Sequence, residues 1–174
     1  RGTPWCSSAG ARLRRLLGAH HERSAKLRQL LGTSDDDLPS GVAAKLDQLK
    51  DAQRAVKALE EELAAAAGRA LAMGSEKVAN AHWPERDLAF LQRVAREFVR
   101  LAPDRVALLT AGGEGQGAFV LCAGERATMD LAAAGRGVAD VLGGRGGGSG
   151  RIFQGKATAL SRRAEALARL ETLG

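Results

Sequence analysis

A chain of 174 residues with a net charge of +6 has room for one ordinary domain, or for a small domain carrying an extension. Hydrophobic residues make up 45% but aromatics only 3%, with no Tyr, so a core must be built from Ala, Leu and Val, and helix is favoured. No apolar run approaches the ~18–20 residues of a membrane-spanning helix, and neither Cys6 nor Cys122 belongs to a CxxC pair, which argues against a membrane protein or a disulfide-stapled scaffold.

The charge is unevenly placed. Residues 1–32 carry +6 and residues 143–174 carry +4, whereas residues 33–73 carry −3 and residues 74–142 carry −1. Concentrated positive charge attracts polyanions by counterion release, and nucleic acid is the usual one. Solvated arginines on helices would give the same totals. The chain opens at Arg1 and not Met, so a processed or partial product is expected, and residues 1–10 lack the apolar stretch of a signal peptide. Free thiols fit a reducing compartment, so a cytoplasmic protein is expected, or an organellar one if an upstream targeting peptide was removed.

Residues 1–10 are small and polar and are expected to be irregular. From Ala11, Leu13, Leu16, Leu17, His20, Ser24, Leu27, Leu30 and Leu31 recur at spacings of three and four that put them on one helical face, and Gly32 is suited to end that helix. Thr33 to Asp37 supply capping side chains for a second helix whose first turn accommodates Pro39. Val42, Leu49, Val56, Leu63 and Ala70 then repeat every seven residues, with Leu46 and Leu59 beside them. A seven-residue repeat predicts packing along another helix, so residues 11–73 are read as an antiparallel coiled-coil hairpin. A second copy of the chain is the alternative partner for that stripe.

After Met73 the pattern changes. Lys77 to Trp83 reads as a strand ended by Pro84, and Glu85 to Leu101 as a helix. Arg105 to Thr110 and Gly117 to Ala123 read as short buried strands joined by a glycine-rich hairpin turn. Ala127 to Leu142 is helical, Gly143 to Gly150 is expected to form a loop, and Ala157 to Leu173 a final amphipathic helix. The expected organisation is an irregular segment 1–10, a helical hairpin 11–73, and a small mixed α/β domain 74–174 with a glycine-rich loop.

The segment that stands out chemically is GGRGGGSGRIFQGKATALSRR, residues 143–163. Consecutive glycines let backbone N–H groups converge on an anion. Arg145, Arg151 and Lys156 sit on or just after them, Thr158 and Ser161 are placed to open the next helix, and Arg162 and Arg163 extend the charge. The P-loop register is missing, because Gly155–Lys156 is followed by Ala157. Taken by itself, the segment fits either a phosphate cradle or a surface loop with incidental charges. Phe153 reads as its hydrophobic anchor.

Catalytic signals are sparse. His20 and His21 are adjacent and face different directions, His82 stands alone, and neither H-x-x-x-H nor C-x-x-x-H occurs, so no metal is expected in this chain. Cys122 falls in a predicted core strand. Asp35, Asp36 and Asp37 are read as helix-capping residues.

Residues 143–163 and the segments before them, GARLRRLLGAHHERSAKLRQLLGTSDDDLP, a long helix and a βαββα stretch, resemble the C-terminal DHH-associated domain and helical linker of free-standing alanyl-tRNA editing proteins. The resemblance covers residues 10–172, and its specific part is the glycine run followed by FQGKAT and SRR. It implies similarity to the editing half of alanyl-tRNA synthetase, in a family that hydrolyses Ser-tRNA(Ala) with zinc held by H-x-x-x-H and C-x-x-x-H motifs. Those motifs would lie in a separate editing domain. It further implies that Gly143, Gly144, Arg145, Gly146, Gly147, Gly148, Gly155 and Lys156 face RNA, and that tRNA, specific for alanine, is the partner. A homodimer or larger assembly through the helical hairpin is the other expected interaction.

Overall fold

The computed structural model describes residues 5–34 and 36–173, with side chains from residue 10 onward. Residues 1–4 of the expected irregular segment and Asp35 of the expected cap lie outside the described residues. The chain forms two compact units, residues 1–56 and 57–174.

The first unit is helical. α1 spans Trp5–Leu31, so the irregular segment expected over residues 1–10 gives way to helix at Trp5. Helix formation is cooperative, so a helix nucleated in the leucine-rich stretch after Ala11 extends back through Ala9 at little cost per residue. Gly32, at φ 65°, ends α1 with its N–H donating to the Arg28 carbonyl at 2.7 Å. α2 spans Leu38–Met73 and runs on into the second unit. At its start the Asp37 carbonyl accepts from Ser40 Oγ and from the Gly41 N–H, both at 2.8 Å, while the Asp37 carboxylate accepts from Ser34 Oγ at 2.6 Å.

The two helices are present, but the leucines of their apolar stripes are exposed. Leu16 is 58% exposed, Leu49 54% and Leu59 64%. Partial burial near the turn is found at Leu31, Leu38 and Gly41. Ala, Leu, Lys and Glu stabilise these helices by intrinsic propensity, which lets them form without a buried seam.

The second unit holds the C-terminal part of α2 and an α/β sheet. The order is β1 (Val78–Trp83), α3 (Leu88–Leu101), β2 (Val106–Ala111), β3 (Gly117–Ala123), α4 (Leu131–Val141), β4 (Arg145–Ser149), β5 (Ile152–Ala157), a 3-10 turn (Leu160–Arg162) and α5 (Arg163–Leu173). The sheet runs β1-β2-β3-β5-β4, with β1 parallel to β2 and every other pair antiparallel. Asp87 caps α3 by accepting from the Phe90 N–H at 2.9 Å, and Asp130 caps α4 through the N–H groups of Ala132 and Ala133.

The glycine stretch is not a loop: residues 145–149 form an edge strand hydrogen-bonded to β5, and Gly150–Arg151 make the hairpin turn. Glycine disfavours strands through backbone entropy, but pairing along β5 supplies hydrogen bonds that no local signal announces. The last helix begins at Arg163, because Ala157 closes β5.

The central strands are covered on both faces. Phe90, Leu91, Val94 and Phe98 of α3, with Ala64 of α2, pack on Leu109, Val120 and Cys122. On the other face Val138 and Leu142 around α4, with Ala166 and Leu170 of α5, pack on Leu108, Phe119, Leu121 and Phe153. Phe153 is the expected anchor: it is buried and stacks on Phe119, with ring centroids 6.1 Å apart. A Cβ on Gly135 would overlap the Phe153 ring, so α4 can lie this close to the sheet only with glycine there. Arg105 fastens the end of α2, donating to the carbonyls of Leu71 and Ala72 at 2.9 Å and of Glu76 at 2.8 Å. The Leu71 and Ala72 carbonyls belong to the last turn of α2, where intrahelical partners run out, and the Leu71 carbonyl also accepts from the Gly74 N–H at 3.3 Å.

Candidate nucleic-acid interface

The glycine strand positions the charged residues that stand out in the sequence. In β4–β5, Arg145 pairs with Lys156, Gly146 with Gly155, and Gly147 with Gln154. The turn has positive φ only at Gly150, its first residue, as in type II′ hairpins. Side chains directly opposite in an antiparallel pair share a face, so Arg145 and Lys156 project together. Alternation fixes which face. Phe153 and Ala157 point into the α4–α5 core, so Gln154 and Lys156 point to the α3 side. Residues 145–149 and Lys156 are all exposed.

The other predicted side chains are divided between places. Arg151, at the far end of the ribbon, donates to the Ala127 carbonyl at 3.0 Å and to the Glu125 carbonyl, so its guanidinium ties the loop before α4 to the hairpin. Arg162 is held by Glu165 at 2.8 and 2.9 Å. Arg163 approaches His82 of β1, at the opposite sheet edge, closely enough that its charge, after burial, holds the imidazole below its ordinary pKa. Gly143, at φ 62°, lies in the turn from α4, where its carbonyl accepts from Thr158 Oγ1 at 2.6 Å. Gly144 lies between this turn and β4, against the backbone of Lys156 and Ala157. The structure thus brings Arg145, Gly146, Gly147, Gly148, Gly155 and Lys156 together and separates them from Arg162 and Arg163.

The expected helix-opening pair Thr158 and Ser161 does not form an open anion site. Ser161 is already engaged by an acid: its N–H and its hydroxyl donate to the Glu114 carboxylate at 3.1 and 2.9 Å.

Sequence reading missed a set of residues on the α3 side. Gln92 Nε2 donates to Gln154 Oε1 at 2.7 Å, and Arg96, one turn beyond Gln92, lines the same cavity of about 400 Å³ with Ser149 and Ile152. Arg93 and Arg100 are paired with Glu60 and Glu97. Arg96, Arg145 and Lys156 have no carboxylate within ion-pair distance among the described residues. The four-residue spacing of Leu88, Gln92 and Arg96 was legible, but their position beside β5 was not.

Among the described residues no three His, Cys, Asp or Glu side chains converge on a metal site. His82 shares a hydrogen bond with Thr110 Oγ1 at 3.1 Å. Burial pushes the Cys122 thiol up to about 12, only partly offset by a backbone hydrogen bond to Ala107, which leaves it an unreactive core side chain. The zinc of the resembling family therefore does not fit these residues.

Mouse alanyl-tRNA editing protein Aarsd1 is 41% identical over 95 residues, which cover 54% of this chain and 22% of that protein. The rat protein of the same name is 40% identical over the same length and share. Over this stretch the chain is similar in sequence to the alanyl-tRNA editing proteins. It spans about a fifth of the length of these curated relatives. No family model matches it. The fold is shared with the C-Ala domain of alanyl-tRNA synthetase from Aquifex aeolicus, at a TM-score of 0.52 and 20% identity over 55% of this chain and 88% of that one. RecJ from Thermus thermophilus, in complex with Mn2+, aligns at 0.50 and 19% identity over 85% of this chain and 23% of its own. No described helix is long and apolar enough to cross a membrane.

Proposed function

We propose that this chain is the tRNA-binding module of an alanyl-tRNA trans-editing factor, a system that clears Ser-tRNA(Ala) and so protects translation from Ser-for-Ala errors. The observation that carries the reading is the cross-strand pair of Arg145 and Lys156 on an exposed glycine ribbon, with no carboxylate partner for either among the described residues. Cations that the fold leaves unneutralised are suited to phosphates, and glycines let a bulky polyanion approach the backbone. Kinship with the alanyl-tRNA editing proteins and the shared fold with a domain of alanyl-tRNA synthetase support tRNA over other polyanions. On this reading residues 11–73 are a helical linker and residues 74–174 the binding module. The hydrolytic step and its zinc belong to an editing domain whose motifs this sequence lacks. A tRNA partner places the chain in the cytoplasm, or in an organelle that charges its own tRNA. Fluorescence anisotropy with labelled alanine tRNA tests the reading. Saturable binding at low salt, tighter than for other tRNAs, is expected; no binding would overturn it.

A second reading has its own observation. The leucines of the α1 and α2 apolar stripes remain exposed, Leu30 at 81%, which suits a helix surface that self-associates or joins an assembly. Sedimentation of the purified chain tests this, and a monomer at every concentration would contradict it.

A further inference from the structure

The α3-facing side of the β4–β5 ribbon is one wall of a groove. Leu88, Gln92 and Arg96 recur every four residues and line the α3 wall. Lys156, Gln154 and Ile152 alternate along β5 and line the other. The Gln92–Gln154 amide bridge stands midway, at 2.7 Å. On one side of it is a cavity of about 490 Å³ lined by Leu88, the backbone of Gly115 and Gly117, and Lys156. On the other is the cavity of about 400 Å³ that holds Arg96 and Ser149. The groove is therefore cationic at both ends and neutral, with hydrogen-bonding capacity, at its middle. Whichever way the two amides are turned, one bridging bond leaves an N–H donor and a carbonyl acceptor still to be used. Both glutamines are only half-buried, so these groups are accessible.

We infer that this groove takes an unpaired stretch of RNA, its phosphates near Lys156 with Arg145 and near Arg96, and one base edge bonded by the Gln92–Gln154 pair. The inference rests on the RNA-binding reading above and narrows its substrate class. Cavities of this size suit a single base or ribose. A duplex presents phosphates on a convex surface and keeps its base edges inside its own grooves, so it could touch Arg145 at the rim but not the amides between α3 and β5. Unstacked bases, by contrast, offer their hydrogen-bonding edges to side chains. A Cβ on Gly147 would meet nothing within 4 Å, so the ribbon beside the groove is open surface that glycine keeps low.

The test compares binding of a labelled single-stranded RNA with that of a hairpin duplex of equal length and charge, by anisotropy at one salt concentration. The full 174-residue chain is used, with Gln154→Leu and Gln92→Ala variants checked by thermal melting. The wild type is expected to prefer the single strand roughly tenfold, the scale of one base held by stacking or paired hydrogen bonds. Either glutamine variant should lose that preference while keeping its affinity for duplex. If Gln154→Leu melts early, Gln92→Ala, on the helix side, gives the same readout. Equal or tighter binding of duplex by the wild type would overturn the inference and leave RNA binding standing. Retained preference in both glutamine variants would also overturn it. No binding of either RNA would overturn it together with the tRNA-binding function.

Discussion

Arg145 and Lys156 stand directly opposite each other across β4 and β5, two like charges on one face of the sheet edge. Opposed like charges destabilise a strand pair, and no described carboxylate relieves these two. Folding alone gives no reason to keep such a pair; binding a polyanion does.

Lys156→Glu is therefore expected to separate stability from binding. It replaces a like-charge cross-strand pair with an opposite-charge one and should raise stability by up to about 1 kcal/mol. The same change should weaken RNA binding. Thermal melts and anisotropy on one preparation check this, and a variant that is less stable and binds unchanged would contradict it.

Much of this was legible in the sequence. The apolar runs of β2 and β3 and the glycine turn between them identified that hairpin, and the spacing of Leu91, Val94, Ala95 and Phe98 identified α3 with its buried face. The strand state of residues 145–149 was not legible, because it depends on pairing with β5, and a glycine run has no side-chain period to read. Gln92 and Gln154 lie 62 residues apart, so their bridge follows only from the sheet order. The leucine stripes gave the helices correctly, but periodicity states only that a face is apolar and says nothing of what covers it.

Arg105→Ala should be among the more destabilising single changes in the sheet unit. It removes three hydrogen bonds to carbonyls at and just beyond the end of α2, and a guanidinium 5.8 Å from the Phe98 ring centroid. A loss of about 2–3 kcal/mol is expected, the range for hydrogen bonds to a charged group whose partners are left open. Chemical denaturation measures it, and an unchanged midpoint would show that water replaces the arginine.

His82 should give the fold a pH dependence in the mildly acidic range. Burial first and the Arg163 charge second lower its folded-state pKa, so the folded protein favours the neutral ring. The unfolded chain then binds a proton more readily, and stability falls as pH drops below the ordinary histidine value toward the lowered one. Below the lowered value this contribution is gone. His82→Gln should flatten the melting temperature across that window, and an identical profile in both proteins would place the dependence elsewhere.

Leu49→Asp should leave the sheet unit's melting temperature unchanged, because Leu49 is 54% exposed and lies in the helical unit. If the leucine stripes join two copies, the same change should dissociate them in sedimentation, since an unpaired carboxylate in an apolar seam is strongly unfavourable. A large drop in the sheet unit's melting temperature would mean that the stripe is buried within one chain.

The most direct test of the tRNA-binding account is the salt dependence of tRNA affinity for the wild type and for the Arg145→Glu/Lys156→Glu double variant. Neutralising about four phosphates predicts a log–log slope of roughly −3 for the wild type, set by counterion release. The double variant should fold normally, bind more weakly at low salt, and show a distinctly flatter slope. Equal slopes and equal affinities in two well-folded proteins would contradict the account and remove the glycine ribbon from the RNA interface.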